Sequence, residues 1–518
     1  MKANILISAF LLNLFSSISL VLAQGITTHD VIFQPNIPKP QKGVPYTDPK
    51  FGTRITRITD ARTNGYPGEV PQYSKRQAWN SDESLMLIFT GSGEVLLYNG
   101  QTYEFIKTLD YLGGEDVFWH PTNPDIIYYS WYNTLRQYNN STGEDVGLHT
   151  FNDYTFANTC GEGNLSDDGR YWAFAGVVYN DSTQISTFKD IVVYDIINDS
   201  IVSKMALPDS LSDFDWVSIS PLGNYVVIDY ASLDTGRYKG VEVYDRNLHF
   251  LWQKPLGFGH SDVGTDSKGN EILVLSFYDS VSNESYITKY NLSDGAETRL
   301  INHAWYEYDH ISCRNTANKG WCLVSTYDGE GRLTDDSLTW TPFEDEIFEV
   351  NLDTAGLVRR LAHHHSRRFS PSTPNSDSSM YFAEPHATIS RTGTRVLFAS
   401  NWRQNIEQDS SVDAYIIDMR TVGVNDDYTP EPDIKLGCYP EPFSSELNIN
   451  ININKPEFVT LKVYNLLGNE IATIANDALQ QGIHSYIYKA ENLPSGIYIL
   501  SLQAGSKIIT HKIILIRD

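Results

Sequence analysis

A chain of 518 residues is too long for one compact hydrophobic core, so it either divides into domains or repeats a unit. Its net charge of -25 excludes a general binder of nucleic acid or of anionic membrane, because the long-range field repels both; a polyanion must meet a local basic patch. Aromatic residues make up 12%, with 32 Tyr and 10 Trp, and no 3.6-residue periodicity persists after the first 25 residues, which excludes a mainly helical fold.

Residues 1–23, MKANILISAFLLNLFSSISLVLA, place a Lys before an apolar run that ends in the small residue Ala23. That is the pattern of a secretory signal peptide cleaved ahead of Gln24, and it leaves no membrane span in the mature chain. Residues 24–50 form a Pro-rich arm, QPNIPKPQKGVPYTDP, too rich in breakers to pack regularly. FGTRITRITD alternates as a strand with no hairpin partner nearby and reads as the outermost strand of the last repeat, joining the two ends of a ring.

A unit then recurs at spacings of roughly 40–60 residues. Its plainest copy is YFAEPHATISRTGTRVLFASNW, in which one strand, a tight turn at Arg391 to Gly393 and a β-rich second strand follow in order. First and second strands are predicted in seven places: Gln77 to Phe89, Asp116 to Ser130, Gly161 to Val177, Phe214 to Tyr230, Ser261 to Phe277, His310 to Thr326 and His386 to Ser400. Third strands end alike, as LLYN, VVYD, VEVYD, ITKYN, IFEVN and YIID. The expectation is an all-β chain whose residues 51–425 form a seven-bladed β-propeller. Of the four Cys, Cys313 and Cys322 flank a short turn, where a local disulfide and a pair of small buried thiols both fit; Cys160 and Cys438 have no evident partner.

After Asp427 the composition changes. Residues 426–438 read as a linker, and ELNININI, FVTLKVYNLLGNEIATI, GIHSYIYKA, GIYILSLQAG and SKIITHKIILI alternate as strands of a small β-sandwich over residues 439–518. On YPEPF, VYNLLGNEI, LPSGIYILSL and the terminal KIILI, these last residues resemble, along their whole length, the type A C-terminal sorting domain of the type IX secretion system of Bacteroidetes. The usual pattern has Asn where this chain has Glu441. The resemblance implies the type IX secretion machinery as a partner, a secreted or cell-surface location, and a tail often removed. It implies no chemistry.

In a four-stranded blade the first strand starts, and the second ends, at one rim, where ligand sites collect. That rule gathers Lys75, Arg76 and Gln77, then Glu162, Asp213, Asp215, His260 with Asp262, His310, and Glu384 with His386. Second-strand ends add Trp131, Tyr132, Tyr230, Tyr278, Asn401 and Trp402. His260, His310 and His386 occupy equivalent starts on three consecutive units, so their imidazoles lean toward one axis as candidate metal ligands. With Asp262 or Glu384 they suit Zn²⁺ or Mn²⁺ and fit Ca²⁺ poorly, because Ca²⁺ prefers all-oxygen shells. The bland role for each is a hydrogen bond to a neighbouring backbone. His120 falls at the opposite turn and reads as structural.

The stretch LVRRLAHHHSRRFSPSTPNSDSSMYF is locally basic, with Arg359, Arg360, His363, His364, His365, Arg367 and Arg368. It reads either as a solvated loop or as an anion clamp over the mouth beside Lys75 and Arg76, with Trp402 as a further substrate contact. A basic, aromatic mouth on an exported propeller suits an anionic polysaccharide. In β-elimination the uronate carboxylate is neutralised, a base takes the C5 proton, and an acid protonates the leaving oxygen. The candidates are His149 as base, Tyr230 as acid and Arg237 as neutraliser. On blade count and site chemistry, residues 50–425 resemble the seven-bladed ulvan lyases and, through GHSD and EPHATIS, more distantly the oligogalacturonate lyases. That resemblance implies a polysaccharide lyase with His, Tyr and Arg sharing the chemistry, and a metal at the His positions. A glycoside hydrolase using paired carboxylates, or a non-catalytic glycan-binding propeller, remains open at this point.

Overall fold

Short alternating runs closed by Gly-, Asn- and Asp-bearing turns become antiparallel sheets through both units of the chain, Met1–Gly423 and Val424–Asp518, in the computed structural model. The structure describes residues 26–110, 112, 116–209, 211, 213–232, 236–255, 260–279, 284–303, 307–328, 340–367, 378–402 and 411–420 of the first unit, and 434–439, 442–453, 456–465, 468–491, 493–504 and 507–517 of the second. The expected signal segment 1–23, Arg368 and residues 426–433 of the expected linker lie outside the described residues. No helix among the described residues is long and apolar enough to cross a membrane.

Among its described residues the first unit holds six four-stranded sheets and one of five strands, the pattern of a β-propeller. First strands are Glu69–Val70, Val117–Trp119, Phe156–Asn158, Phe214–Ile219, Asp262–Thr265, Glu307–Ser312 and Thr388–Ile389. The turn into the second strand needs a left-handed residue, and Gly223 and Gly393 supply it at φ 71° and 68°. Neighbouring sheets bury apolar faces against each other: Val193 and Ile191 of the third sheet share a cluster with Val226 and Ile228 of the fourth, all four at 0% exposure. The five-stranded sheet joins both ends of the unit. Arg54–Arg57 pairs with Asp413–Asp418, Arg54 opposite Asp418 and Arg57 opposite Tyr415, as the alternation of FGTRITRITD predicts.

Two first strands differ from expectation. In the first sheet the strand is Glu69–Val70, and residues 71–77 leave it before Trp79 rejoins Met86 through an isolated bridge. In the third it is Phe156–Asn158, and residues 159–164 leave it before Leu165 bridges Trp172. Both departures point the same way. They feed Tyr73, Lys75 and Arg76, and Cys160, Gly161 and Glu162, into the interior.

The Pro-rich arm is a strap. Pro lacks an N–H, and the arm's carbonyls take donors from the sheets. Ile26 exchanges two backbone hydrogen bonds with Arg360, at 3.3 and 2.9 Å. The Arg360 guanidinium donates to the carbonyls of Thr28 (3.1 Å) and Asp30 (2.6 Å), and to Glu346 Oε2 at 2.7 Å. His363 Nε2 donates to the Ile32 carbonyl at 2.9 Å, Trp402 Nε1 to that of Ile37 at 3.0 Å, and Lys39 meets Asp413 at 2.6 Å.

The second unit has a three-stranded sheet (Ile434–Tyr439, Glu446–Ile453, Gly482–Lys489) and a four-stranded one (Glu470–Leu479, Glu457–Asn465, Gly496–Ala504, Lys507–Leu515). Leu447, Ile449 and Ile451 from the first share one core with Val459, Leu461, Leu500 and Ile513 from the second. No two cysteines are bonded to each other. Cys313 and Cys322 lie against each other one step beyond the Ser312–Leu323 pair, so buried thiols replace the disulfide alternative.

Burial pushes the His363 imidazole from its ordinary 6.5 down to about 3, so folding keeps it neutral where the unfolded chain is protonated. The stability this gives is complete above 6.5 and is lost as pH falls toward 3. Urea midpoints measured across that range should fall steeply for the wild type and less steeply for His363→Gln; equal slopes would exclude the assignment.

Candidate metal centre

His260 precedes the first strand of the fifth sheet, His310 lies within that of the sixth, and His386 precedes that of the seventh. The structure brings them together. The His260 and His310 rings stack at 4.5 Å and 13°, and His310 and His386 lie 4.3 Å apart at 56°. Glu384 Oε2 sits 3.4 Å from His310 Nε2 and 3.5 Å from His386 Nε2. His386 holds a φ of 39°, a left-handed conformation unusual for a side-chain-bearing residue, two residues after Glu384.

His310, Glu384 and His386 each offer one donor atom within 4.8 Å of the others, and all three are buried. Bonds of about 2.1 Å in a tetrahedral shell put donors about 3.4 Å apart, so the observed separations fit a small divalent cation. Two imidazoles and one carboxylate suit Zn²⁺ or Mn²⁺ and not Ca²⁺. His260 is differently placed: its ring is parallel to His310, which aims the in-plane lone pairs side by side rather than at one point. Its Nδ1 lies 2.6 Å from the Asp309 carbonyl oxygen, which can only accept, so Nδ1 carries a proton and in the neutral ring the lone pair falls on Nε2. Glu384, and not His260, thus falls in the group that could hold a cation with His310 and His386.

Aromatic rings enclose the cluster. Tyr73 meets His310 at 5.4 Å and His386 at 5.1 Å, Tyr327 stacks on His310 at 5.0 Å, and Tyr381 lies 4.7 Å from His386. Tyr73, Tyr381 and Glu162 also line an open cleft of about 280 Å³. Burial holds the Tyr73 phenol well above its ordinary range, with Glu162 adding to the shift, so it stays protonated. Burial, then Glu162, raises Asp215. Lys75 bonds Glu162 and lies 4.1 Å over the Trp216 ring. Tyr73 was not among the residues that sequence reasoning singled out; the surplus PQYSKRQ between aligned strands is the signal that could have found it.

Among the described residues, most of the expected anion clamp is committed to internal partners. Arg76 is buried and committed inward: its guanidinium donates to Gly161 O (3.1 Å), Gly163 O, Asp116 Oδ1 (2.6 Å) and Thr159 Oγ1 (3.2 Å). Arg359 pairs with Glu349 at 2.9 Å, Arg360 with Glu346, and His364 with the Thr326 carbonyl at 2.9 Å. The Arg367 backbone is tied to Asn401. Trp402, 4% exposed, stacks on His365 at 4.3 Å and on Tyr415 at 4.9 Å, so it packs the core beneath the strap.

The expected catalytic trio is not assembled either. His149 lies on Asp145–Thr150, the fourth strand of its sheet, with Nδ1 2.7 Å from Asp199. Tyr230 is fully buried against Phe214 at 5.9 Å, and burial raises its phenol far above the ordinary range. Arg237 grips Glu242 at 3.0 Å and the Tyr244 hydroxyl at 2.8 Å. None of the described contacts joins His149 to the other two.

Residues 437–516 match the family described as a secretion system C-terminal sorting domain. The tail is thus a type IX secretion signal, which directs the chain to the cell surface or the extracellular space. Among solved structures, the β-propeller domain of Cps50 (Swd1) from Myceliophteria thermophila aligns over 71% of this chain and 100% of its own, at 11% identity and a TM-score of 0.39. No curated protein matches.

Replacing Arg76 by Met leaves the Asp116 carboxylate buried and unpaired, so the unfolding free energy should fall by about 3–5 kcal/mol in urea titrations. A loss below about 1 kcal/mol, the range of exposed pairs, would show that this contact does not hold the interior.

Proposed function

We propose that the chain is an exported seven-bladed β-propeller with a C-terminal β-sandwich, and that it is a lyase cleaving a uronic-acid-containing polysaccharide by β-elimination. The observation that carries this reading is the convergence of His310, Glu384 and His386 beside a cleft shared with Tyr73. A divalent cation held by those three residues would neutralise the uronate carboxylate and make the C5 proton more acidic. His260, with its lone pair on Nε2, takes that proton as the C4–C5 double bond forms. Tyr73, kept protonated by burial, gives its own to the departing C4 oxygen. Tyr381, 42% exposed beside the cluster, offers a face on which a sugar ring can stack.

Burial of all three ligands favours one second reading, a structural metal pin in a non-catalytic glycan-binding propeller. Two measurements separate them. Purified protein should carry one equivalent of zinc or manganese, lost in His310→Ala; equal trace metal in both would end the metal assignment. Ultraviolet absorbance of the unsaturated uronide, followed with ulvan, polygalacturonate and alginate, should rise on one of them. Tyr73→Phe and His260→Ala should each slow that rise by about 10²–10⁴-fold. New reducing ends without absorbance indicate hydrolysis, and neither signal indicates the binding protein.

A further inference from the structure

At the opposite ends of the first strands, residues from five sheets line a cavity of about 40 Å³, among them Arg76, Gln77, Asn164, Asp167, Arg314 and Arg391. One water needs about 10–15 Å³ by the same measure, so the space takes about three waters or one small oxyanion. No metal-centre residue lines it.

Arg391 lies in the turn between Thr388–Ile389 and Arg395–Ser400. Its carbonyl accepts the Ala317 N–H at 2.9 Å, but its guanidinium makes no hydrogen bond or ion pair among the described residues, and its Nε is wholly enclosed. Arg391 is half-buried, and an enclosed guanidinium nitrogen without a partner is costly, since burial normally requires pairing. The strain shows in its acidity: burial pushes Arg391 down to about 10, against the opposing pull of Asp167 and with the repulsion of Arg314. Arg314 directs Nε and Nη2 to Asp262, at 3.1 and 2.9 Å, and Nη2 also to the Val263 carbonyl; its Nη1 makes none of the described hydrogen bonds. Arg76 commits four of its five N–H donors to its own partners. Asp167 forms no described ion pair with either arginine, and burial raises its carboxyl, which weakens its service as a counter-ion.

We propose that this cavity binds one small oxyanion, gripped by the Arg391 fork and the remaining donor of Arg314. Sulfate, phosphate and small carboxylates share the needed chemistry, with oxygens spaced to accept two parallel N–H donors. The site is independent of the proposed lyase reaction.

The test uses the full chain, with calorimetric titration and thermal unfolding in sulfate, phosphate or formate at low millimolar concentration, ionic strength being matched with sodium chloride. Low concentration matters because concentrated sulfate stabilises folded proteins in general. At least one anion should bind saturably at one site per chain and raise the Tm. Arg391→Met should weaken that binding by about tenfold or more. Arg391→Lys, which keeps the charge and loses the fork, should bind more weakly than wild type, and it serves if the Met variant does not fold. Absence of saturable binding for all three anions, or wild-type affinity in the variants, overturns the proposal. Preference among the three identifies whether the site is shaped for a tetrahedral or a planar group.

Discussion

Residues Tyr73 to Gln77 cross the interior of the first unit, and the Arg76 guanidinium is the contact on which that crossing depends. Sheets in a ring otherwise pack against their neighbours. Arg76 reaches Asp116 of the second sheet and Thr159, Gly161 and Gly163 of the third, while its carbonyl accepts the Thr388 hydroxyl at 2.7 Å from the seventh. Gln77 donates to the carbonyls of Arg314 and Ile389, and Lys75 reaches Glu162. A buried ion pair adds little net stability over an apolar isostere, but it permits only one arrangement, because any other strands a charge. That arrangement presses the Tyr73 ring against His310 and His386, so the constraint that fixes the interior also completes the candidate site.

Much of the fold was legible because a β-strand has a period of two and a tight turn has few permitted residues. FGTRITRITD declared its strand and SRTGT its turn, since a φ of 68° at Gly393 excludes most other residues. The first and third sheets were less legible. Trp79 and Leu165 keep the alternation running, so the pattern pointed at them, whereas the two residues of Glu69–Val70 are too few to carry a period.

The histidines could be found from sequence because equivalent positions in a repeat share an axis, and Glu384 follows from standing two residues before His386. The cations could not be placed in the same way. Residue type reports a charge and says nothing of its partner, and the partners of Arg360 and His363 are backbone carbonyls of the Pro-rich arm, which no motif announces. Net charge adds a further reason: with 39 basic and 64 acidic side chains, most Lys and Arg find an internal acid before a solvent-facing role. Tyr230 and Arg237 follow the same rule, the first absorbed by packing and the second by Glu242.

The claim on which the functional reading rests is that two imidazoles and the Glu384 carboxylate converge on one cation. X-ray absorption at the zinc edge of the loaded full chain tests it most directly. The predicted spectrum has a nitrogen and oxygen shell with outer scattering from two imidazoles, lost when His310 and His386 are both replaced by Ala. A spectrum without imidazole scattering, or one unchanged by that replacement, would contradict it.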